Sequence, residues 1–228
     1  AYLDEPSIET LGLNPIKPEL QQIESIANKN QLSQILGSQL RADVDPLNAT
    51  NYFTDRLFGL FVSAGLNDSS KNVAYLLQGG LGLPDRDYYL GTDDRSIALQ
   101  KAYRDHIAAD LKLANVADAD AKAARIYDLE RSIADVHATR EESGDVAKAN
   151  NSWKTADFAK TAPGLDWDQY FKASHLSSQP MIMVWHPQAV KGISALVAAP
   201  CWNPVAAQLG RRALVSEFNV RRLLTALA

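Results

Sequence analysis

Apolar residues recur at helical spacing along most of the chain. Leu20, Ile23 and Ile26, then Leu32, Ile35, Leu36 and Leu40 after the polar break Asn28-Lys29-Asn30, predict two consecutive helices. Upstream, Leu3 to Gly12 has the acid-rich start and glycine stop of a short helix, broken by Asn14-Pro15 and Lys17-Pro18. Asp43 to Asn51 is turn-rich. The period then changes: Leu57 to Leu66 and Asn72 to Leu77 are β-branched and aromatic runs on either side of Asn67-Asp68-Ser69-Ser70, which predicts a β-hairpin. Helical spacing returns with Ile97, Tyr103, Ile107, Leu111 and Ala114, and Asp93-Asp94 suit that helix's N-terminus. Between Asp118 and Glu142, Ile126, Leu129, Ile133 and Val136 step by three and four with charges between them. This is one buried stripe on a bundle helix, expected to be the longest and to end at Gly144. Residues 145–153 read as extended, Thr155 to Thr161 and Asp166 to Ser174 as short helices around Pro163-Gly164, and Met181 to Trp185 as a brief strand. Pro187 suits the first turn of a helix running to Ala199. The pattern predicts a mainly α, bundle-like domain with a small β-hairpin.

Composition narrows the partners. With 228 residues, 46% of them hydrophobic, the chain can bury a sizeable core. A net charge of −4 from 23 basic and 27 acidic residues gives no electrostatic reason to expect nucleic acid or an anionic membrane. The longest apolar runs, such as Ile193 to Ala199, fall far short of the roughly 20 residues needed to span a bilayer. Residues 1–20 carry no basic-then-apolar secretory signal, so composition leaves the compartment open. The single cysteine, Cys201, excludes an internal disulfide and a multi-cysteine zinc site. Asn48-Ala49-Thr50 and Asn67-Asp68-Ser69 fit the N-glycosylation pattern, which matters only in a eukaryotic secretory context.

The densest local signal is residues 77–90, Leu-Gln-Gly-Gly-Leu-Gly-Leu-Pro-Asp-Arg-Asp-Tyr-Tyr-Leu. Gly79, Gly80 and Gly82 permit a positive φ or close backbone approach, and Pro84 fixes the next dihedral. Asp85, Arg86 and Asp87 can open a helix and pair locally, and Tyr88, Tyr89 and Leu90 supply buried bulk. Gly80, Gly82, Leu83, Pro84, Asp85, Arg86, Asp87, Tyr88 and Tyr89 together form a structural signature. It resembles the Leu-Gly-Leu-Pro-Asp-Arg-Asp-Tyr-Tyr stretch in the N-terminal domain of neprilysin-like and endothelin-converting-enzyme-like zinc metallopeptidases. The Asp-Val-x-Lys-Ala-Asn-Asn element at 145–151 and the Val-Trp-x-Pro-x-Ala-Val element at 184–190 extend the resemblance over roughly residues 1–199. It begins in mid-helix of the family pattern. Where the family continues with a Trp-Lys-x-Tyr-Leu helix, this chain has Pro200-Cys201-Trp202-Asn203-Pro204, so 1–199 and 200–228 read as a family domain and a divergent tail.

The resemblance implies a helical domain that covers the active-site cleft of an enzyme cleaving oligopeptides. It further implies zinc in the intact enzyme, a catalytic zinc domain as partner and an extracytoplasmic setting. The rival reading is a stand-alone binding module, or a chain that pairs with a second copy of itself. In the tail, Leu209, Ala213, Val220, Leu223, Leu224 and Leu227 share one side of a helical wheel, while Arg211, Arg212, Arg221 and Arg222 lie around the rest with Val215 and Phe218 misplaced among them. Such a tail suits a membrane- or partner-binding helix, or a replacement sequence that covers apolar surface.

Zinc peptidase chemistry needs two histidines four apart on a helix, a glutamate between them to deprotonate water, and a third ligand. His106, His137, His175 and His186 are never closer than eleven residues and none is followed by glutamate, so no catalytic or metal residue is assigned and each histidine reads as a surface or half-buried group. Glu141 and Asp145 have the spacing of the family's third-ligand motif, but Gly144 breaks the helix it requires. Ser38 and Ser194 lack a nucleophile elbow, Gly80-Leu81-Gly82 lacks the third glycine of a dinucleotide loop, and Cys201 has no evident base. Asp85 with Asp87, and Asp93 with Asp94, read as helix caps. Arg86 reads as a tie to neighbouring backbone, and Trp153, Trp167 and Trp185 as core anchors.

Overall fold

The computed structural model describes residues 10–14, 17–40, 54 and 56–198. The first two helices, α1 (Lys17–Glu24) and α2 (Lys29–Ser38), follow the apolar spacing; Asn28 caps α2 by accepting the Gln31 amide. Strands β1 (Phe58–Ala64) and β2 (Asn72–Gln78) pair antiparallel from Phe58 opposite Gln78 to Ala64 opposite Asn72, giving the expected hairpin. After the signature come α3 (Asp87–Leu90), α4 (Asp94–Leu113), α5 (Ala119–Val136) and α6 (Arg140–Gly144). The chain then forms β3 (Ser152–Lys154), a 3-10 turn (Thr155–Asp157), α7 (Phe158–Thr161), α8 (Trp167–Ala173), β4 (Met181–Val184) and α9 (Pro187–Ala198).

Three expectations change, the first being the extended run over 145–153: residues 146–149 form turns and only Ser152–Lys154 is a strand. The hairpin is half of a four-stranded sheet of order β1-β2-β4-β3, in which β4 runs parallel to β2, with Tyr75 opposite Met183, and β3 runs antiparallel to β4. The helix expected over Asp118 to Glu142 breaks at His137, whose backbone is extended, and a new helix starts under a capping box in which Thr139 and Glu142 satisfy each other's backbone amides. The 20-residue α4 is consequently longer than the 18-residue α5.

The main core lies between one sheet face and the helices. Phe58, Leu60, Leu76, Ile182 and Val184 point into it from the strands and meet Tyr127, Ile133, Trp167, Tyr170, Val190 and Ile193. Phe58 packs on the Trp167 and Tyr170 rings at centroid distances of 5.7 and 6.1 Å. A smaller cluster of Ile107, Ala108, Leu111, Ala119, Ala123 and Ile126 zips α4 to α5. Parts of the opening helix, the turn at Asp43 to Asn51, the sequon at Asn48, Cys201 and the tail leucines fall outside the described residues.

Candidate functional site

The signature is fastened from below by one hydroxyl. Gly80 takes a φ of +88°, which swings the chain off the end of β2. The backbone then descends until the amides of Gly82 and Leu83 donate to the Tyr89 hydroxyl at 2.9 and 2.8 Å. That hydroxyl donates in turn to Glu130 Oε2 of α5 at 2.6 Å, and Tyr103 of α4 donates to the same oxygen at 2.9 Å. Burial, and then the Glu130 carboxylate, push the Tyr89 phenol far above its ordinary range, so it remains a proton donor. The Tyr127 hydroxyl donates to the Tyr89 carbonyl at 3.4 Å, and the Tyr103 and Tyr127 rings flank Tyr89. Gln100 donates its amide to the carbonyls of Tyr88, Tyr89 and Gly91, closing the C-terminal end of α3.

The other signature residues divide by exposure. Asp85 accepts the Asp87 amide at 2.9 Å, a local cap. Arg86 reaches backward rather than sideways: its Nε donates to the Ala134 carbonyl of α5 at 3.2 Å. Tyr89 is buried, whereas Tyr88 is 39% exposed and supplies no core bulk, because the single turn of α3 sends consecutive side chains to different sides. Gly82 has no positive φ; a Cβ there would fall inside the Tyr103 hydroxyl, so close approach is what restricts the position.

Beside the signature sits a second polar cluster. The Gln78 side chain accepts the Ala138 amide at 2.8 Å and donates to the Ala138 carbonyl at 3.1 Å, so it pairs with the break between α5 and α6 as another strand would. His137 Nε2–H donates to the Gly79 carbonyl at 2.9 Å. His186 Nδ1 accepts the Gln78 amide at 3.1 Å, which places its proton on Nε2, 3.0 Å from Ser143 Oγ. Trp185 Nε1 donates to the Ser143 carbonyl at 2.9 Å. Both imidazoles are buried, contrary to the surface or half-buried expectation. Burial above all, opposed by the Gly79 bond and aided by Arg86, lowers His137 to about 4; burial and then His137 lower His186 to about 3.

Ser143 and His186 have the spacing of a nucleophile and its base, but the chemistry fails. The ring nitrogen facing Ser143 carries the proton and the other nitrogen is already bonded to a backbone amide. Serine and imidazole are each only 3% exposed, out of reach of a substrate. The histidines do not fit zinc either. His137 and His186 are spent on backbone and serine bonds, and among the described residues no three His, Cys, Asp or Glu side chains come together to hold a metal.

Sequence reading missed Glu130, Tyr103, Gln78 and Ser143. One signal was available: Glu130 lies four residues after Ile126 and three before Ile133, so a charge sits on the apolar stripe and must find partners in the core.

This arrangement of a glycine-rich descent, a buried tyrosine and a helical scaffold can be set against known proteins. The family model described as Peptidase family M13 matches residues 1–216, continuing past Ala199, where the residue-by-residue resemblance stops. The chain belongs to peptidase family M13. Endothelin-converting enzyme 1 of Cavia porcellus is 26% identical over 204 residues, covering 86% of this chain and 26% of that protein. Neprilysin-3 of Drosophila melanogaster is 23% identical over 202 residues, covering 83% and 25%. The crystal structure of the Mycobacterium tuberculosis zinc metalloprotease ZMP1 in complex with inhibitor superimposes with a TM-score of 0.78 at 24% identity, covering 99% of this M13 chain and 34% of that one. The chain thus has the fold of a stretch of an M13 peptidase and spans about a quarter of the length of the curated relatives it matches.

Proposed function

We propose that these residues form the N-terminal, non-catalytic region of an M13 zinc metallopeptidase acting on oligopeptides, the part that covers the active-site cleft and limits entry to short peptides. The observation that carries the reading is the family match over residues 1–216 in a sequence with no His-Glu-x-x-His. Zinc, its ligands and the general base belong to the rest of the intact enzyme. A cleft cover works by steric exclusion, so it needs rigidity rather than titrating groups at its surface. The Tyr89–Glu130 knot supplies that rigidity, and within this reading the signature is a folding element rather than a recognition element.

Metal analysis and a quenched-peptide assay on the 228-residue chain test the proposal. The expected result is less than stoichiometric zinc and no chelator-sensitive hydrolysis. One tightly held zinc per chain with chelator-sensitive cleavage would overturn it. For the covering role, residues 1–199 are grafted in place of the matching stretch of a family enzyme. The chimera should cleave short peptides while sparing folded proteins of the same sequence content, and a chimera that degrades both equally removes that part of the reading.

A further inference from the structure

We infer that Gln78, Gly79, His137, Ser143 and His186 form an acid-labile latch, closed while both imidazoles are neutral, that ties the root of the signature turn to α6 and to the start of α9. The argument is geometric. Two imidazoles from segments far apart in sequence bond to consecutive backbone groups at the end of β2, one giving a proton to Gly79 and one taking the amide proton of Gln78. The Gln78 side chain clasps Ala138 next to the first imidazole, and Ser143 joins α6 to the second. A proton added to His186 Nδ1 would face the Gln78 N–H, two donors in opposition, so that bond must break before the ring can charge. A proton added to His137 would charge a ring that is 9% exposed.

The charged neighbours do not rescue the protonated state. Arg86 opposes a charge on His137, and His137 opposes one on His186. Glu142 on α6 is held ionised first by its bond from the Thr139 amide, then by Lys148 and Arg86, and its side chain caps its own helix.

The sign follows from proton binding. Opening returns each imidazole to its ordinary value near 6.5, above its closed-state value of about 4 or 3, so the open state binds more protons. The latch is therefore fully stable above pH 6.5 and weakens as the pH falls from there toward 4. Between pH 7.5 and 5 the opening constant should rise about thirtyfold for each imidazole released.

Native-state hydrogen exchange and histidine NMR on the full chain test this. The expected result is that, after correction for intrinsic rates, the Gln78 and Ala138 amides lose about thirtyfold or more protection between pH 7.5 and 5. Exchange at these two amides should be insensitive to low urea, marking a local opening. His137 and His186 should remain unprotonated in the folded chain at pH 5. The double variant H137Q/H186N, which keeps a donor toward Gly79 and an acceptor toward Gln78 but cannot titrate, should lose most of the pH dependence. Either buried ring titrating near 6.5 in the folded chain overturns the latch. So does pH-independent exchange at Gln78 and Ala138, or urea dependence there equal to that of the Leu111 amide. If the double variant does not fold, the ring titrations and the wild-type exchange still decide.

Discussion

At the scale of single residues, Tyr89 does most to hold the signature. Its oxygen accepts two backbone amides and its hydroxyl donates a hydrogen bond to a buried carboxylate, so removing it strands the Gly82 and Leu83 amides and one lone pair of Glu130. Tyr89→Phe should destabilise the chain by about 2–4 kcal/mol, since each buried group left without a partner costs about 1–3 kcal/mol. For a chain of this size that lowers the thermal midpoint by several degrees, on the order of 2–4 °C per kcal/mol. Tyr88→Phe, one position earlier and exposed, should leave the midpoint within error. Equal midpoints for the two variants would show that the tyrosine knot contributes nothing. Gly82→Val should also be costly, by about 1–3 kcal/mol, because the added carbon meets the Tyr103 hydroxyl rather than because of any backbone strain.

At the scale of elements, α2 packs tightly on α8. Gly37 lies so near the Tyr170 carbonyl that a Cβ would overlap that oxygen, and the neighbouring backbone cannot yield as a flexible side chain would. Asp166 seals the same contact: its amide donates to Ser33 Oγ at 2.9 Å, Oδ2 accepts Asn30 at 3.0 Å, and Oδ1 caps α8 through the Gln169 amide at 3.1 Å. Helix propensity alone favours alanine over glycine inside a helix by about 1 kcal/mol. The packing here opposes that preference and should win. Gly37→Ala is expected to lower stability by about 1–3 kcal/mol, measured by urea titration at constant m-value. A gain in stability would mean that the helices separate without cost.

At the scale of the whole molecule, β4 ties distant parts of the described residues together. It brings residues 181–184 beside a hairpin completed a hundred residues earlier, and the Trp185 amide continues the pairing by donating to the Leu76 carbonyl at 2.9 Å. Ile182 and Val184 are fully buried between sheet and helices, whereas Met181 at the strand's start is 49% exposed. Ile182→Ala should cost about 2–5 kcal/mol through lost burial and the cavity left behind. Met181→Ala should cost well under 1 kcal/mol, because its side chain already stands half in water. Similar losses at the two positions would place the strand outside the core.

The sequence by itself determined most of the elements. Apolar spacing placed α2, α4, α8 and α9 within a few residues of their observed ends, the change of period marked the hairpin, and the glycine, proline and acid pattern of 77–90 located the signature. These are local properties, fixed by residues three or four apart along one segment. What only the tertiary structure decided are the long-range bonds. No spacing shows that β4 pairs with β2, that Glu130 accepts hydrogen bonds from Tyr89 and Tyr103, or that two histidines 49 residues apart meet at Gln78 and Gly79. The break at His137 belongs with them. Ile133 and Val136 continue the helical period up to it, yet the chain leaves the helix where the His137 ring bonds to the Gly79 carbonyl and Thr139 caps the next helix.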